Sequence, residues 1–307
     1  MSAGWVAGVT RARAMLSRRV GASGARQVAA AEDLGEALRY LTATPYRKYL
    51  QAGGTLTDAQ RAVMATLLWH LRVLAGWQPR EGVAAVRLLA AGFEIANVED
   101  HLRTLPGELP PEPYRLGALA TAWPRLARTG GPDELRAALT ASAWGDPGGS
   151  SPAQVATGMR IAAASRTAAA VPSAARWAAG RAALLVAREL FVGARELTEP
   201  TARRASRLLG PTAMAARTFP EFRERLPHTA RWAVRDVADA DGLWRAETDW
   251  WTRIEQDGFE LLRDSRFDAS SVVGTVAVLS TDAWRVRAGL EMASRGGQPM
   301  EAFDALV

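Results

Sequence analysis

His70, His101 and His228 are the three histidines of the 307-residue chain, and no two of them stand four residues apart. One helix face therefore cannot present a histidine pair to a metal, and with no cysteine in the chain there is neither a thiolate ligand nor a thiol nucleophile. A Gly-x-x-x-x-Gly-Lys-Ser/Thr phosphate loop is absent, and Lys48 is the sole lysine. The Gly-x-Ser-x-Gly turn that exposes a hydrolase serine is absent too. Gly148-Gly149-Ser150-Ser151-Pro152 has the composition of an anion cradle before a helix, a composition that linkers share. Glu99 with Asp100, and Asp236 with Asp239, lie among arginines, where surface ion pairing competes with acid–base work. A catalyst would need at least two of these groups to converge in one cleft. The expectation is a protein with no catalytic site, no metal and no cofactor.

Composition supports a folded body. Hydrophobic residues make up 48% and charged residues 23%, enough apolar surface for a sizeable core. The net charge of +6 is carried almost wholly by arginine, interleaved with Asp and Glu and without a run of five like charges. A nucleic-acid arm is thus not indicated. An all-α binding protein with an arginine-rich face for nucleic acid or a regulatory partner is the alternative function, and it would show steep salt dependence. The opening residues meet Arg11, Arg13, Arg18 and Arg19 without a signal-peptide apolar region. The uncharged stretch from Ala269 to Thr281 is too short to cross a bilayer and predicts a buried helix. These features point to a cytoplasmic protein, peripheral to a membrane through partners at most.

The elements that must position these residues are helical throughout. Leu34, Ala37, Leu38 and Leu41 share one face of a helix from Asp33. Thr57-Asp58-Ala59-Gln60 has capping-box spacing and opens a helix striped by Val63, Leu67, Leu71 and Leu74, with Gly76 at its C′ position. One long helix is predicted from Arg80 to Leu105, stopped by Pro106-Gly107. Others are predicted over about 114–128, 133–143, 152–169, 173–198, 200–209, 228–239, 241–264 and 269–295. Pro106–Pro113 and Gly145–Pro152 are turn-rich joints, and prolines bound a short helix after Phe219. Trp69, Trp77, Trp123, Trp177, Trp232 and Trp284 sit in apolar helical contexts and are assigned to the core. The Trp250-Trp251 rings cannot share one helix face.

A loose threefold repeat runs through the chain. A leucine-lined helix ends in an aromatic corner at Leu38–Tyr46, again at Leu135–Trp144, and more weakly at Leu243–Trp251. Each corner is followed by a long helix with an acidic or aromatic residue and a trailing arginine: Phe93-Glu94 to Arg103, Arg188-Glu189 to Arg195, and Trp284 to Arg295. At the place of Asn97, Val192 or Arg195 and Arg287 stand nearby in the later copies.

Three segments resemble the C/d family of V-type ATPase central-stalk proteins. They are Val9–Val20 with its Arg11-Ala12-Arg13-Ala14-Met15 start, the Thr44-Pro45-Tyr46 corner, and Phe93-Glu94-Ile95-Ala96-Asn97-Val98-Glu99-Asp100-His101-Leu102-Arg103. The resemblance covers roughly the first 105 residues. It implies an all-α funnel of three similar helical modules about a pseudo-threefold axis, here 1–113, 114–210 and 211–307. It also implies a non-catalytic socket between the membrane rotor ring and the central shaft in ATP-driven proton or ion transport. Tyr46, Glu94, Asn97 and Arg103 match the family's recurring positions, with a structural or interface role. A basic inner surface would suit an acidic shaft.

Overall fold

The computed structural model describes residues 3–104, 111–264, 266–297, 300 and 303, and among these every regular element is a helix. In chain order the α-helices are α1 (Ala3–Ala14), α2 (Gly21–Ala29), α3 (Leu34–Thr42), α4 (Leu56–Ala75), α5 (Arg80–Leu89), α6 (Ala91–Arg103), α7 (Trp123–Leu126) and α8 (Pro132–Thr140). They continue as α9 (Pro152–Ala170), α10 (Ala175–Ala187), α11 (Glu199–Leu209), α12 (Pro211–Met214), α13 (Phe219–Arg225), α14 (His228–Arg231), α15 (Leu243–Arg263) and α16 (Ala269–Ala293). The expected stop at Pro106-Gly107, with most of the Pro106–Pro113 joint, lies outside the described residues. No described helix is long and apolar enough to cross a membrane.

The chain divides into two compact units, residues 1–83 with 251–307, and residues 84–250. In the first, α16 is the central element and packs against α1, α2, α3 and α4. Its Ser271–Leu279 stretch is buried around the whole circumference, as the uncharged run predicts. Burying Val272, Val273, Val276, Val278 and Leu279 contributes roughly 1.5–3 kcal/mol each before chain entropy is counted. Bare backbones allow the close crossings. A Cβ at Gly274 would lie 2.6 Å from the Gly258 carbonyl of α15, and one at Gly289 would lie 2.9 Å from the Ala25 carbonyl of α2.

In the second unit α9 and α10 pack on each other, with α6 and α11 against α9 and α14 against α10. Ile95, Val98, Leu126, Leu135, Leu139, Trp144 and Met159 form one buried cluster. Gly180 of α10 admits the Trp232 ring and Ala233, which stand 2.9 Å from where its Cβ would be.

Several expectations are corrected. The capping box of α4 starts at Thr55: its Oγ1 accepts the Asp58 N–H (3.2 Å) and Asp58 Oδ2 accepts the Thr55 N–H (3.1 Å). Asp58 can close the box because it sits three residues after Thr55, so Thr57 is already inside the helix. Gly76 is the C-cap and keeps right-handed dihedrals, φ −62 and ψ −16, so no left-handed C′ glycine ends α4. The helix from Arg80 breaks at Ala90, where ψ is 4, beside the small residues Ala91 and Gly92. Segment 114–128 is mostly irregular and holds a 3-10 turn, Gly117–Leu119, and the four-residue α7. Region 228–239 is helical only over α14. Of the six tryptophans assigned to the core, Trp177 is buried, Trp77 is 53% exposed and the other four are half-buried. Trp250 and Trp251 do diverge: Trp250 Nε1 donates to the Trp177 carbonyl (3.0 Å), while Trp251 stacks on Trp284 with centroids 5.5 Å apart.

Candidate functional site

Two buried carboxylates make the same three-pronged contact. Glu94 of α6 is 1% exposed and accepts the backbone N–H of Thr121, that of Ala122 (2.7 Å) and the Trp144 indole N–H (2.8 Å). Asp282 of α16, also 1% exposed, accepts the N–H groups of Val20 (3.2 Å) and Gly21 (2.7 Å) and the Tyr46 hydroxyl (2.9 Å). Each carboxylate thus clasps two consecutive backbone N–H groups and one aromatic side chain, leaving few lone pairs idle at a buried position. Burial pushes the Asp282 carboxyl above its usual range, opposed by hydrogen bonds from Gly21, Tyr46 and Val20. Burial, then the adjacent Asp282, holds the Tyr46 phenol well above its ordinary value.

The aromatic corners match as well. Thr44 Oγ1 donates to the Leu41 carbonyl (2.7 Å) and accepts the Tyr46 N–H (3.2 Å). Ser142 Oγ donates to the Leu139 carbonyl (2.7 Å) and accepts the Trp144 N–H (3.1 Å). At the helices leading into them, Glu36 and Glu134 each reach back to the backbone N–H four residues earlier, at Glu32 (2.8 Å) and Gly130 (2.7 Å). Glu221 does the same to Arg217 (2.7 Å) at the start of α13.

The third corner expected from sequence, Leu243–Trp251, is absent. Leu243–Trp251 runs without a corner inside α15, because nothing in it interrupts the helical hydrogen-bond ladder. Leu226, the C-cap of α13, is fully buried like Leu41 and Leu139. Arg231 Nε donates to the Leu226 carbonyl (3.0 Å). Glu189 lies in a π-helical turn, Arg188–Val192, and pairs with Arg195 (2.8 Å).

Of the four residues singled out from sequence, Glu94 and Asn97 act on one segment. Asn97 Nδ2 donates to the Tyr114 carbonyl (2.9 Å), and its Oδ1 accepts the Tyr114 N–H (2.7 Å). Arg103, with 62% of its side chain exposed, is 3.8 Å from Glu99. Glu99 also pairs with Arg160. Tyr46 belongs to the other compact unit. On α16, Arg285 is 4% exposed and 2.6 Å from Glu255. These are contacts that hold backbone segments in place.

A cavity of about 470 Å³ in the first unit has a different character. Arg18, Ala43, Thr44, Pro45, Arg47, Lys48, Trp69 and His70 line it, and no carboxylate does. His70 is 3% exposed, and neither ring nitrogen has a protein hydrogen-bond partner among the described residues. Its pKa is pushed down to about 4, chiefly by burial and then by the charges of Arg18 and Lys48. The Lys48 ammonium lies 4.4 Å from the Trp69 ring centroid.

The other histidines are elsewhere. His101 Nε2 is 2.9 Å from the Thr129 carbonyl, and His228 is exposed at the start of α14. No group of three metal-ligating side chains comes together among the described residues. In the Gly148–Pro152 loop Ser151 caps α9 by accepting the Gln154 N–H (3.3 Å), and Gly148 packs against Thr198 and Pro200. Neither a protein-family model nor a curated protein matches this chain.

Sequence reasoning missed Asp282 and the pocket cations. Asp282 carried a signal, an acidic residue directly after the uncharged Ala269–Thr281 run of an apolar helix. Arg18, Arg47 and Lys48 carried none, since their common cavity exists only after folding.

Proposed function

We propose that the chain is a non-catalytic central-stalk component of a V-type rotary ATPase, a socket joining the membrane rotor ring to the central shaft. Three helical modules, 1–113, 114–210 and 211–307, would be arranged about a pseudo-threefold axis. The observation that carries the proposal is the paired clasp. Tyr46 and Glu94 occupy the family-like corner and helix positions, and both belong to clasps of one geometry, Tyr46 with Asp282 and Trp144 with Glu94. The repeated contact of Glu36, Glu134 and Glu221 supports a third module built to the same local plan. A scaffold of this kind transmits force through packed helices and requires no reacting groups.

Co-expression with the rotor-ring and central-shaft proteins of the same organism tests the proposal. The expected result is a stable complex that survives gel filtration and contains this chain and the shaft. A chain that elutes alone in the presence of both partners refutes it. Duplex or single-stranded nucleic acid binding that weakens steeply with salt would favour the alternative, an arginine-faced binding protein.

A further inference from the structure

The cavity walled by the Met15–Arg18 turn, the Pro45–Lys48 turn and α4 is not used by the clasps or by the proposed role. We propose that it binds the phosphate group of a phosphorylated ligand, with Arg18, Arg47 and Lys48 taking the negative charge and Trp69 and Pro45 facing the ligand's organic body.

Four observations lead there. Three cations line one concavity with no carboxylate in its wall, and none of the three has an ion-pair partner among the described residues. Elsewhere acidic residues meet arginines readily, as at Glu247 with Arg181 and Arg188, or Glu189 with Arg195. An uncompensated cluster costs mutual repulsion, which a dianion relieves. Second, two guanidinium forks and one ammonium suit a phosphate better than a single carboxylate, because the forks offer paired donors to tetrahedral oxygens.

Third, His70 is almost wholly buried yet borders the cavity with neither ring nitrogen partnered among the described residues. A neutral imidazole here can donate one N–H to an anionic oxygen. Fourth, about 470 Å³ falls in the size range of small-molecule sites, and one wall is the Trp69 indole. The cavity therefore has room for an organic body beside the phosphate.

The phosphate could come from a soluble phosphomonoester or from a lipid headgroup, and the experiment separates the two. The full chain is titrated at low salt with inorganic phosphate, pyrophosphate and phenyl phosphate by calorimetry, while the His70 ring is followed by NMR. Phosphatidylglycerol vesicles, with phosphatidylcholine vesicles as control, form a second arm. Millimolar or tighter binding of at least one soluble phosphate is expected, with the His70 pKa rising from about 4 by one unit or more as the surrounding positive charge is neutralised.

The Arg47→Ala/Lys48→Ala double variant, with both changes at exposed positions, should lose about tenfold or more in affinity. Arg72→Ala, an exposed cation of α4 outside the cavity wall, should bind as the parent does. Vesicle binding that depends on Arg47 and Lys48 and outcompetes the soluble phosphates identifies a lipid source for the same site. No binding of any probe, unchanged binding in the double variant, or an unmoved His70 resonance overturns the proposal. So does preferential binding of single-stranded DNA over every small phosphate. Because the ATPase proposal is tested by complex formation, either can fail without the other.

Discussion

Replacing Glu94 by alanine would remove the one acceptor that three donors share. The indole N–H of Trp144 is buried, and leaving it unpartnered costs about 1–3 kcal/mol. The Thr121 and Ala122 N–H groups are half-buried and recover part of their loss from water, so about 1 kcal/mol each is a fair figure. The sum is about 3–5 kcal/mol, roughly a fifth or more of the stability of an ordinary domain. Arg166 adds to it, since its guanidinium lies 5.3 Å over the Trp144 ring and Glu94's charge partly offsets its burial. Trp144→Phe, which keeps the ring but not the donor, should cost less, about 1.5–3 kcal/mol. A double-mutant cycle of Glu94→Gln with Trp144→Phe should return a coupling of about 1–2 kcal/mol. Urea unfolding followed by circular dichroism measures all of these, and hydrogen exchange at Thr121 and Ala122 reports the local loss. A Glu94→Ala cost below about 1 kcal/mol, or additive single variants, would refute the clasp as a source of stability.

Three further outcomes follow from the same contacts. Tyr46 keeps its proton more tightly folded than unfolded, so its contribution is complete below the unfolded value of about 10 and is lost as pH rises above it; Tyr46→Phe should be less stable than the parent at pH 8, with the gap narrowing above pH 10 in thermal melts. Thr55→Ala should cost about 1 kcal/mol by opening the capping box of α4, whereas Thr57→Ala should be near neutral; equal costs in chemical denaturation would contradict the assignment of the cap. Gly274→Ala places a methyl within 2.6 Å of the Gly258 carbonyl and should destabilise by about 1–3 kcal/mol, seen as a lower midpoint in urea, while Gly92→Ala, which meets nothing within 4 Å, should not.

Much of the helical content was legible, and the errors share a cause. Periodic apolar positions marked α3, α4, α9, α11, α15 and α16 within a few residues, because each buries a face set by its own sequence. Segment 114–128 tolerates a helix by residue type, yet it is mostly irregular. Asn97 takes both backbone groups of Tyr114, and Glu94 takes the N–H groups of Thr121 and Ala122, so distant side chains outbid the local ladder. Leu243–Trp251 has the composition of a corner but runs on inside α15, because nothing there interrupts the helical ladder. Of the candidate residues, Tyr46, Glu94 and Asn97 were recognisable by type, but their partners were not.

The sequence by itself determined an all-helical chain, a buried α16, and the absence of the phosphate-loop, hydrolase-elbow and histidine-pair motifs, since these depend on spacing along one element. Tertiary structure decided which donors meet Glu94 and Asp282, and it decided that Arg18, Arg47, Lys48 and His70 share a cavity. A buried carboxylate needs any satisfying set of donors, and a cation tolerates any solvated position, so neither requirement names a partner in advance. Only packing α4 and α16 against the turns at 15–18 and 45–48 selects them.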